Sequence, residues 1–556
     1  STFSAAPEGK AGAGGTARSR LSVTTAGSLE VTNSAIGGTA GSSTTGDGRA
    51  GSSASAISTG TATGAVKVTT FATGGGGGAA GGPGTRGGTG GDAEDVAAHG
   101  VSLSGGAVNV ILSAAGGRGG DARNGARSGD GGSTYLLDAV SGLTTGDLVL
   151  SQSATGGAAG TAYPGTVSAT GGVGGQAESV LTAYHGGSRL EASALAEGGA
   201  GAIFANLPTD RGGDARAVVD ATGAGQTKAT ATAWGGRTYG NTLGTGSDAG
   251  ATASASGTVD VQAIAQAYAG GNQSGTLRTG RADAASLAIA RTAGGRAVAR
   301  SDTYGVEGHA RSTAIARDEG RYAVTSVVEG DVAAGAAPAG SRRFSAGAGV
   351  AVNFLGVGPS SGESAAAVIA DPDRYVVGDA LRGNANAGAL LSSDDPLQKI
   401  VMFGAFWNDG EVNTPAAVTG RRTSAVIDFS ANLLELGLGS QLTLAFLDPE
   451  VLGAGFDSLR FRLEREGTNL IDVSFYDVLD AVTYFDDQVM AFDTFAMPDD
   501  GTLDLRFLFD IEFTGRDDRF GTDFLVSANT VPLPASFWLL ATAVGALATR
   551  RWSRPG

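Results

Sequence analysis

The chain has 556 residues, 95 of them glycine and none cysteine, and 38 Lys+Arg against 54 Asp+Glu leave a net charge of −16. The lack of cysteine excludes a disulfide framework, a zinc ribbon and thiol catalysis, and neither half offers the basic face that nucleic acid requires. The length suggests two to four domains. Residues 361–530 hold 29 acidic against 11 basic residues and 19 of the aromatic ones, whereas 78 glycines precede residue 361. Two different materials therefore meet near residues 340–360.

Residues 1–340 are dominated by Gly, Ala, Ser and Thr. Segments of strict period two recur, as in Ala229–Trp234 (ATATAW), Ala251–Ser256 (ATASAS), Val261–Tyr268 (VQAIAQAY), Ser286–Arg291 (SLAIAR) and Ser312–Arg317 (STAIAR). Alternation of this kind is the signature of a strand. The stretches Ser286–Arg300 and Ser312–Ser326 superimpose at an offset of 26, and Gly-Gly-Asp-Ala or a close variant heads units at Gly90, Gly119, Gly174 and Gly212. Units of about 26–38 residues point to a stacked array. The expected architecture is a slender β-solenoid-like repeat array, or stacked hairpins of similar shape, with alanine inside and glycine at positive-φ corners. The first 60 residues and Thr69–Thr89 read as looser.

Chemistry in this part is sparse. Gly87–Asp92 and Gly116–Asp121 fit the opening of a calcium-binding nonapeptide, which makes Asp92 and Asp121 candidate calcium ligands; turn glycines are the alternative. Threonine alternation at Thr230 and Thr232 would offer an ice- or glycan-facing ladder, although it is short. The glycine runs lack the Lys-Ser/Thr of a phosphate loop. His99, His185 and His309 have no ligand-spaced companions and read as exposed turn or strand residues.

From Phe344 the chain turns into short aromatic and β-branched segments separated by turn signals. Strands are expected at 347–354, 399–406, 423–429, 441–446, 458–465, 470–475, 489–494, 503–513 and 523–526, with a short helix within 477–487. That spacing argues for a β-sandwich, jelly-roll-like, over 341–530. The acidic pairs Asp371/Asp373, Asp394/Asp395, Asp486/Asp487 and Asp517/Asp518 could serve glycoside hydrolysis or a structural calcium, but turn and solvated roles suit most of them. Trp407 and Tyr484-Phe485 could offer a sugar-stacking platform, with core packing the other role for Phe485. No histidine occurs in 341–530, so a Ser-His-Asp set within it is excluded.

The last 26 residues have three parts: Val531-Pro532-Leu533-Pro534-Ala535, an uncharged run from Ala535 to Thr549 with Phe537, Trp538, Leu539 and Leu540 at its head, and then Arg550, Arg551 and Arg554. The two prolines hold the first part extended. Fifteen helical residues reach roughly 22 Å, short of a bilayer core of about 30 Å, and the closing arginines place that end in the cytoplasm. In order and position these parts resemble the PEP-CTERM sorting signal in its VPLPA variant. The resemblance implies a short C-terminal transmembrane helix, transient anchoring in the inner membrane of a Gram-negative bacterium, and recognition by an exosortase. It also implies association with extracellular polysaccharide and biofilm formation. Since such a tail needs the preceding chain exported, a signal peptide is expected to have been removed before Ser1.

The expectation is thus an all-β chain in three parts, 1–340, 341–530 and 531–556. The first is the repeat array, the second the acidic sandwich and the third the sorting tail. Its function would be that of a non-enzymatic, exported cell-surface or matrix protein, structural or adhesive, with exosortase, exopolysaccharide or its own copies as partners and no nucleic acid. No cofactor is expected, with a structural calcium as the alternative. A protein that binds or cleaves matrix polysaccharide, or a self-assembling fibre subunit, are the alternatives.

Overall fold

The computed structural model describes residues 11–163, 170–203, 211–238, 246–271, 280–292, 294–305, 307–318, 320–332, 342–352, 364–391, 398–409, 421–492, 498–513 and 518–530. The chain is mostly β, with 61% strand and 4% helix. Alternation along the chain sends successive strands to two sheets. Ala17–Thr25 lies in sheet 1, Leu29–Ile36 in sheet 2, Ala54–Ala62 in sheet 1 and Val66–Thr73 in sheet 2, and the pattern continues to Arg281–Ala290 and Arg296–Gly305. Each strand pairs in parallel with its counterpart one coil later. Paired residues are 37 apart at Ala17 and Ala54, 43 at Thr134 and Ala177, 33 at Ala249 and Ala282, and 26 at Ser286 and Ser312. The coil is therefore longer than the sequence markers suggest over its first half, and it shortens towards its end.

Period two decides which side chains go inside. Ala229, Ala231 and Ala233 of Gln226–Trp234 are fully buried, as are Ala263, Ala265 and Ala267 of the strand paired with it. Methyl groups give each sheet a low-relief inner face, so two such faces interlock without gaps. Residues 17–36, 54–60 and 69–73, expected to be looser, lie in four regular strands of the same stack.

The glycine runs are not corners. None of Gly74–Gly78 or Gly116–Gly120 has a positive φ. Between a sheet 2 strand and the next sheet 1 strand, the chain runs outward and returns as two extended segments with a three-residue period. In the outward segment, the N–H groups of Gly74, Gly77 and Ala80 donate to the carbonyls of Ala115, Arg118 and Asp121 in the next coil, each at 2.8 Å. Gly75 and Gly78 instead donate across, to Ser52 (2.7 Å) and Arg49 (2.8 Å) of a return segment. The third positions, Gly76 and Ala79, point outward, and their carbonyls accept from Ala40 and Ser43 of the preceding coil. Three residues per turn with no bonds inside the segment is the geometry of a polyproline-II-type helix, which must bond to its neighbours.

The return segment repeats this arrangement. Gly87 and Gly90 donate to the next coil, while Gly88 and Gly91 donate back to Gly78 and Gly75 at 2.8 Å. A side-chain carbon at Gly117 would lie 2.0 Å from the Gly75 carbonyl oxygen, and one at Gly157 only 1.9 Å from that of Gly117. Glycine is required here because neighbouring backbones touch, as at the axis of a collagen helix. The motif Gly-Gly-x follows: two positions face the lattice, and Thr89, Asp92, Arg118 and Asp121 occupy the outward third.

Sheet 1 is interrupted once. Thr134–Leu137 pairs forward with Ala177–His185, whereas Val140–Leu143 pairs backward with Ala97–Ser102, and Asp138 between them has φ +47°. Gln152, buried on the opposite sheet, reaches across the core to mend the break. Its Oε1 accepts from Ala139 N (3.1 Å), and its Nε2 donates to Val180 O (2.8 Å) and Ser179 Oγ (3.2 Å).

Both sheets continue past the repeats. Glu307–Asp318 pairs antiparallel with Tyr322–Val332, and Arg296–Gly305 antiparallel with Arg342–Val352, so parallel winding gives way to mainly antiparallel pairing within the same two sheets. The segments that align at an offset of 26 diverge here. Ser286 and Ser312 are paired neighbours, but residues 296–305 cross to sheet 2 while 322–332 fold back within sheet 1.

Beyond this point the expected strands are present, Ser458–Arg465 with the expected ends and others with shifted ends, among them Gln398–Asp409, Arg421–Asn432 and Thr502–Phe513. Ser364–Ala370 and the helices Arg374–Ala380 and Ala385–Leu391 are additional. The expected helix is Val478–Phe485, capped by Asp477, whose carboxylate accepts from Leu479 N at 2.7 Å. Phenylalanine replaces alanine as core filler, with Phe446, Phe461, Phe485, Phe509 and Phe524 fully buried and in mutual ring contact.

Among the described residues no helix is long and apolar enough to cross a membrane. The expected tail helix and the sorting residues 531–556 lie outside the described residues.

Candidate functional site: a polar groove on sheet 1

The outer face of sheet 1 carries a row of side chains in register across the coils: Tyr135, Glu178, Arg216, Gly250, Asp283 and His309. At Gly250 the row has no side chain, and a carbon built there would meet nothing within 4 Å. The strands of Arg216 and Asp283 flank this notch two strand spacings apart, roughly 9.6 Å. Around it lies a groove of about 550 Å³, with Thr252 and Ala285 also lining it.

The walls are ionic but paired. Arg216 is bonded to Glu178, and Arg281 meets Asp283 at 2.6 Å. This hydrogen bond and the adjacent charge push the Arg281 guanidinium further above its ordinary range. Arg211 joins Asp214 (2.7 Å) and Asp248 (3.5 Å). The pairs are exposed, with Arg216 at 61% and Asp283 at 44%, so they contribute little to stability while leaving donors and acceptors facing solvent. At one end Tyr135 is 57% exposed, its hydroxyl donating to Gln176 Oε1 at 2.9 Å.

Several of these carboxylates also bond to the backbone. Asp214 accepts from Asp248 N (2.8 Å), Asp248 from Arg281 N (2.9 Å) and Asp283 from His309 N (3.2 Å), each reaching the next coil at the start of its strand. This places the Gly-Gly-Asp-Ala marker: its aspartate ties one coil to the next. The candidate calcium ligands do the same. Asp92 accepts from Ser133 N (2.7 Å), and Asp121 from Thr161 N (2.8 Å) and Arg118 Nη2 (2.7 Å). Among the described residues no group of three or more His, Cys, Asp or Glu side chains could hold a metal ion.

Of the acidic pairs, Asp373 caps the helix Arg374–Ala380, and Asp371 binds Lys399 at 3.0 Å. Asp487 accepts from Asn386 N and Ala387 N, and Asp518 from Ala454 N. Asp394, Asp395 and Asp517 lie outside the described residues. Phe485 is fully buried, whereas Trp407 on Gln398–Asp409 and Tyr484 on the helix Val478–Phe485 are half-buried. His185 differs from expectation: it is buried, with Nε2 2.6 Å from Gly146 O. His309 is partly exposed and 2.7 Å from Asp331.

Sheet 2 contributes a smaller feature, Trp234 stacked on Tyr268 at 4.1 Å, with Tyr304 next in register. Sequence reasoning missed the groove. Its only signal was the sole glycine at an outward position of the Ala249–Gly257 alternation before the strand's end. Comparison with family models, with curated proteins and with solved structures gave no match.

Proposed function

We propose that this chain is an exported cell-surface or extracellular-matrix protein that acts as a scaffold and adhesive, not as an enzyme. In this reading residues 1–340 form a β-solenoid stalk, 341–530 a jelly-roll-like sandwich, and 531–556 an exosortase-read sorting signal with a short transmembrane helix and basic end. The inner membrane holds the chain until Val531–Ala535 has been recognised. The observation that supports a scaffold most is the continuity of sheet 2, whose 15 strands run from Leu29–Ile36 into the sandwich. At about 4.8 Å per strand, this makes a rod on the order of 65 Å long, suited to many weak contacts along its faces. A fluorescent fusion retaining residues 531–556 should reach the cell surface or medium, and one lacking them should not reach the surface by this route.

A second reading, carbohydrate binding, is favoured by the polar groove over Gly250. A third, fibre formation, is favoured by Ala17–Thr25 and Leu29–Ile36, each of which pairs on one side only among the described residues. Electron microscopy separates isolated rods from filaments.

A further inference from the structure

We propose that the groove over Gly250 is a saccharide subsite that takes an uncharged, linear polysaccharide segment laid along the stacking axis. The inference rests on the scaffold reading above only for its context, and the groove's own chemistry selects the ligand. A polyanion is disfavoured, because Glu178, Asp214, Asp248 and Asp283 surround the notch and would repel phosphate or uronate. A metal ion would have to displace existing partners: Asp214, Asp248 and Asp283 each accept a backbone N–H, and Glu178 is bonded to Arg216. An apolar ligand would find the Tyr135 ring at one end but, around the notch, the methyls of Thr252 and Ala285 between charged walls, and would leave those charges poorly solvated.

A neutral polyol meets each requirement. A guanidinium held beside a carboxylate presents N–H donors next to free lone pairs, which matches two adjacent hydroxyls that both donate and accept. Two such pairs, Glu178/Arg216 and Asp283/Arg281, stand on opposite sides of the notch. The bare backbone at Gly250 lets a ring approach the sheet between them, and the exposed Tyr135 offers an aromatic surface at one end. Because the lining extends from Tyr135 to His309, across six strands at about 4.8 Å, a chain of several rings is the fitting ligand and a monosaccharide is not.

The test is calorimetric titration of the full chain in mild detergent. Neutral linear β-1,4-glucan, mannan and α-1,4-glucan oligosaccharides form one panel, with a polyuronate and heparin as polyanions. Gly250→Arg fills the notch at a position with open space, Arg216→Gln removes one guanidinium, and Thr32→Arg, at an exposed position on the outer face of sheet 2, serves as control. Circular dichroism shows that each variant is folded. At least one neutral oligosaccharide should bind, with affinity falling about tenfold or more in Gly250→Arg and in Arg216→Gln and unchanged in the control. The proposal is overturned if no neutral oligosaccharide binds, if binding persists in both groove variants, or if the polyanions bind more tightly. Export of the fusion carrying residues 531–556 is scored separately. Exported protein without glycan binding removes the groove and leaves the scaffold; glycan binding without export does the reverse.

Discussion

Gly75 and Gly76 are neighbours in sequence, yet the structure assigns their hydrogens opposite surroundings. A methyl at Gly75 would sit 2.0 Å from the Gly38 carbonyl oxygen and 2.6 Å from its carbon. Relief to 3.0 Å means opening the lattice by at least 1 Å, where Gly75 N–H donates to Ser52 O at 2.7 Å and Gly75 O accepts from Gly91 N at 2.8 Å. Two backbone bonds would be lost and their buried groups left unpaired, a cost of about 3–5 kcal/mol for Gly75→Ala. At Gly76 the nearest atoms to such a methyl are 3.4 and 3.8 Å away. Gly76→Ala should therefore be neutral, or stabilising by about 0.4–1 kcal/mol through the unfolded chain. Because a stacked array does not unfold in one step, the readout is the guanidinium midpoint of the earliest transition together with amide exchange across the lattice. Equal midpoints for the two variants, or a lower one for Gly76→Ala, would refute the lattice argument.

Gln152→Leu should lower stability by about 1–3 kcal/mol, since Ala139 N loses its partner inside the core and Val180 O keeps only Asp138 N; thermal melting checks this. Burial, with Asp448 and Glu450 nearby, pushes the Asp523 carboxyl up to about 6. This exceeds the unfolded value of about 3.9, so the native state binds the extra proton between the two values. Stability is predicted to fall as pH rises from about 4 to 6, by on the order of 2 kcal/mol, and Asp523→Asn should remove that slope in denaturant midpoints measured across the range. Asp121→Ala should lose about 1 kcal/mol by orphaning Thr161 N, whereas Asp121→Asn keeps an acceptor; neither should make the melting temperature sensitive to a calcium chelator.

Strand alternation in the sequence carried the β class, the stacked repeats and the alanine core, because period two with small residues leaves few other ways to bury a face. The strands beyond residue 341 were also legible from aromatic and β-branched runs such as Ser458–Arg465. Two features were hidden for identifiable reasons. Gly-Gly-x has a period of three, and glycine suits both a positive-φ corner and a backbone contact; only the neighbours of Gly75 or Gly117, some 40 residues away in sequence, decide between them. The groove was hidden because its residues come from six coils whose lengths vary, so no local motif joins Glu178, Arg216 and Asp283. Asp92 and Asp121 looked like ligands because an outward third position preceding a strand favours a short acceptor, and the N–H they receive belongs to the following coil.

The measurement that bears most directly on the proposed function is the intact mass of the protein recovered from the medium, compared with that held in the membrane. A sorted scaffold predicts a membrane form carrying the whole tail and a released form lacking Trp538 to Arg551. A released form that still contains those residues would contradict the account.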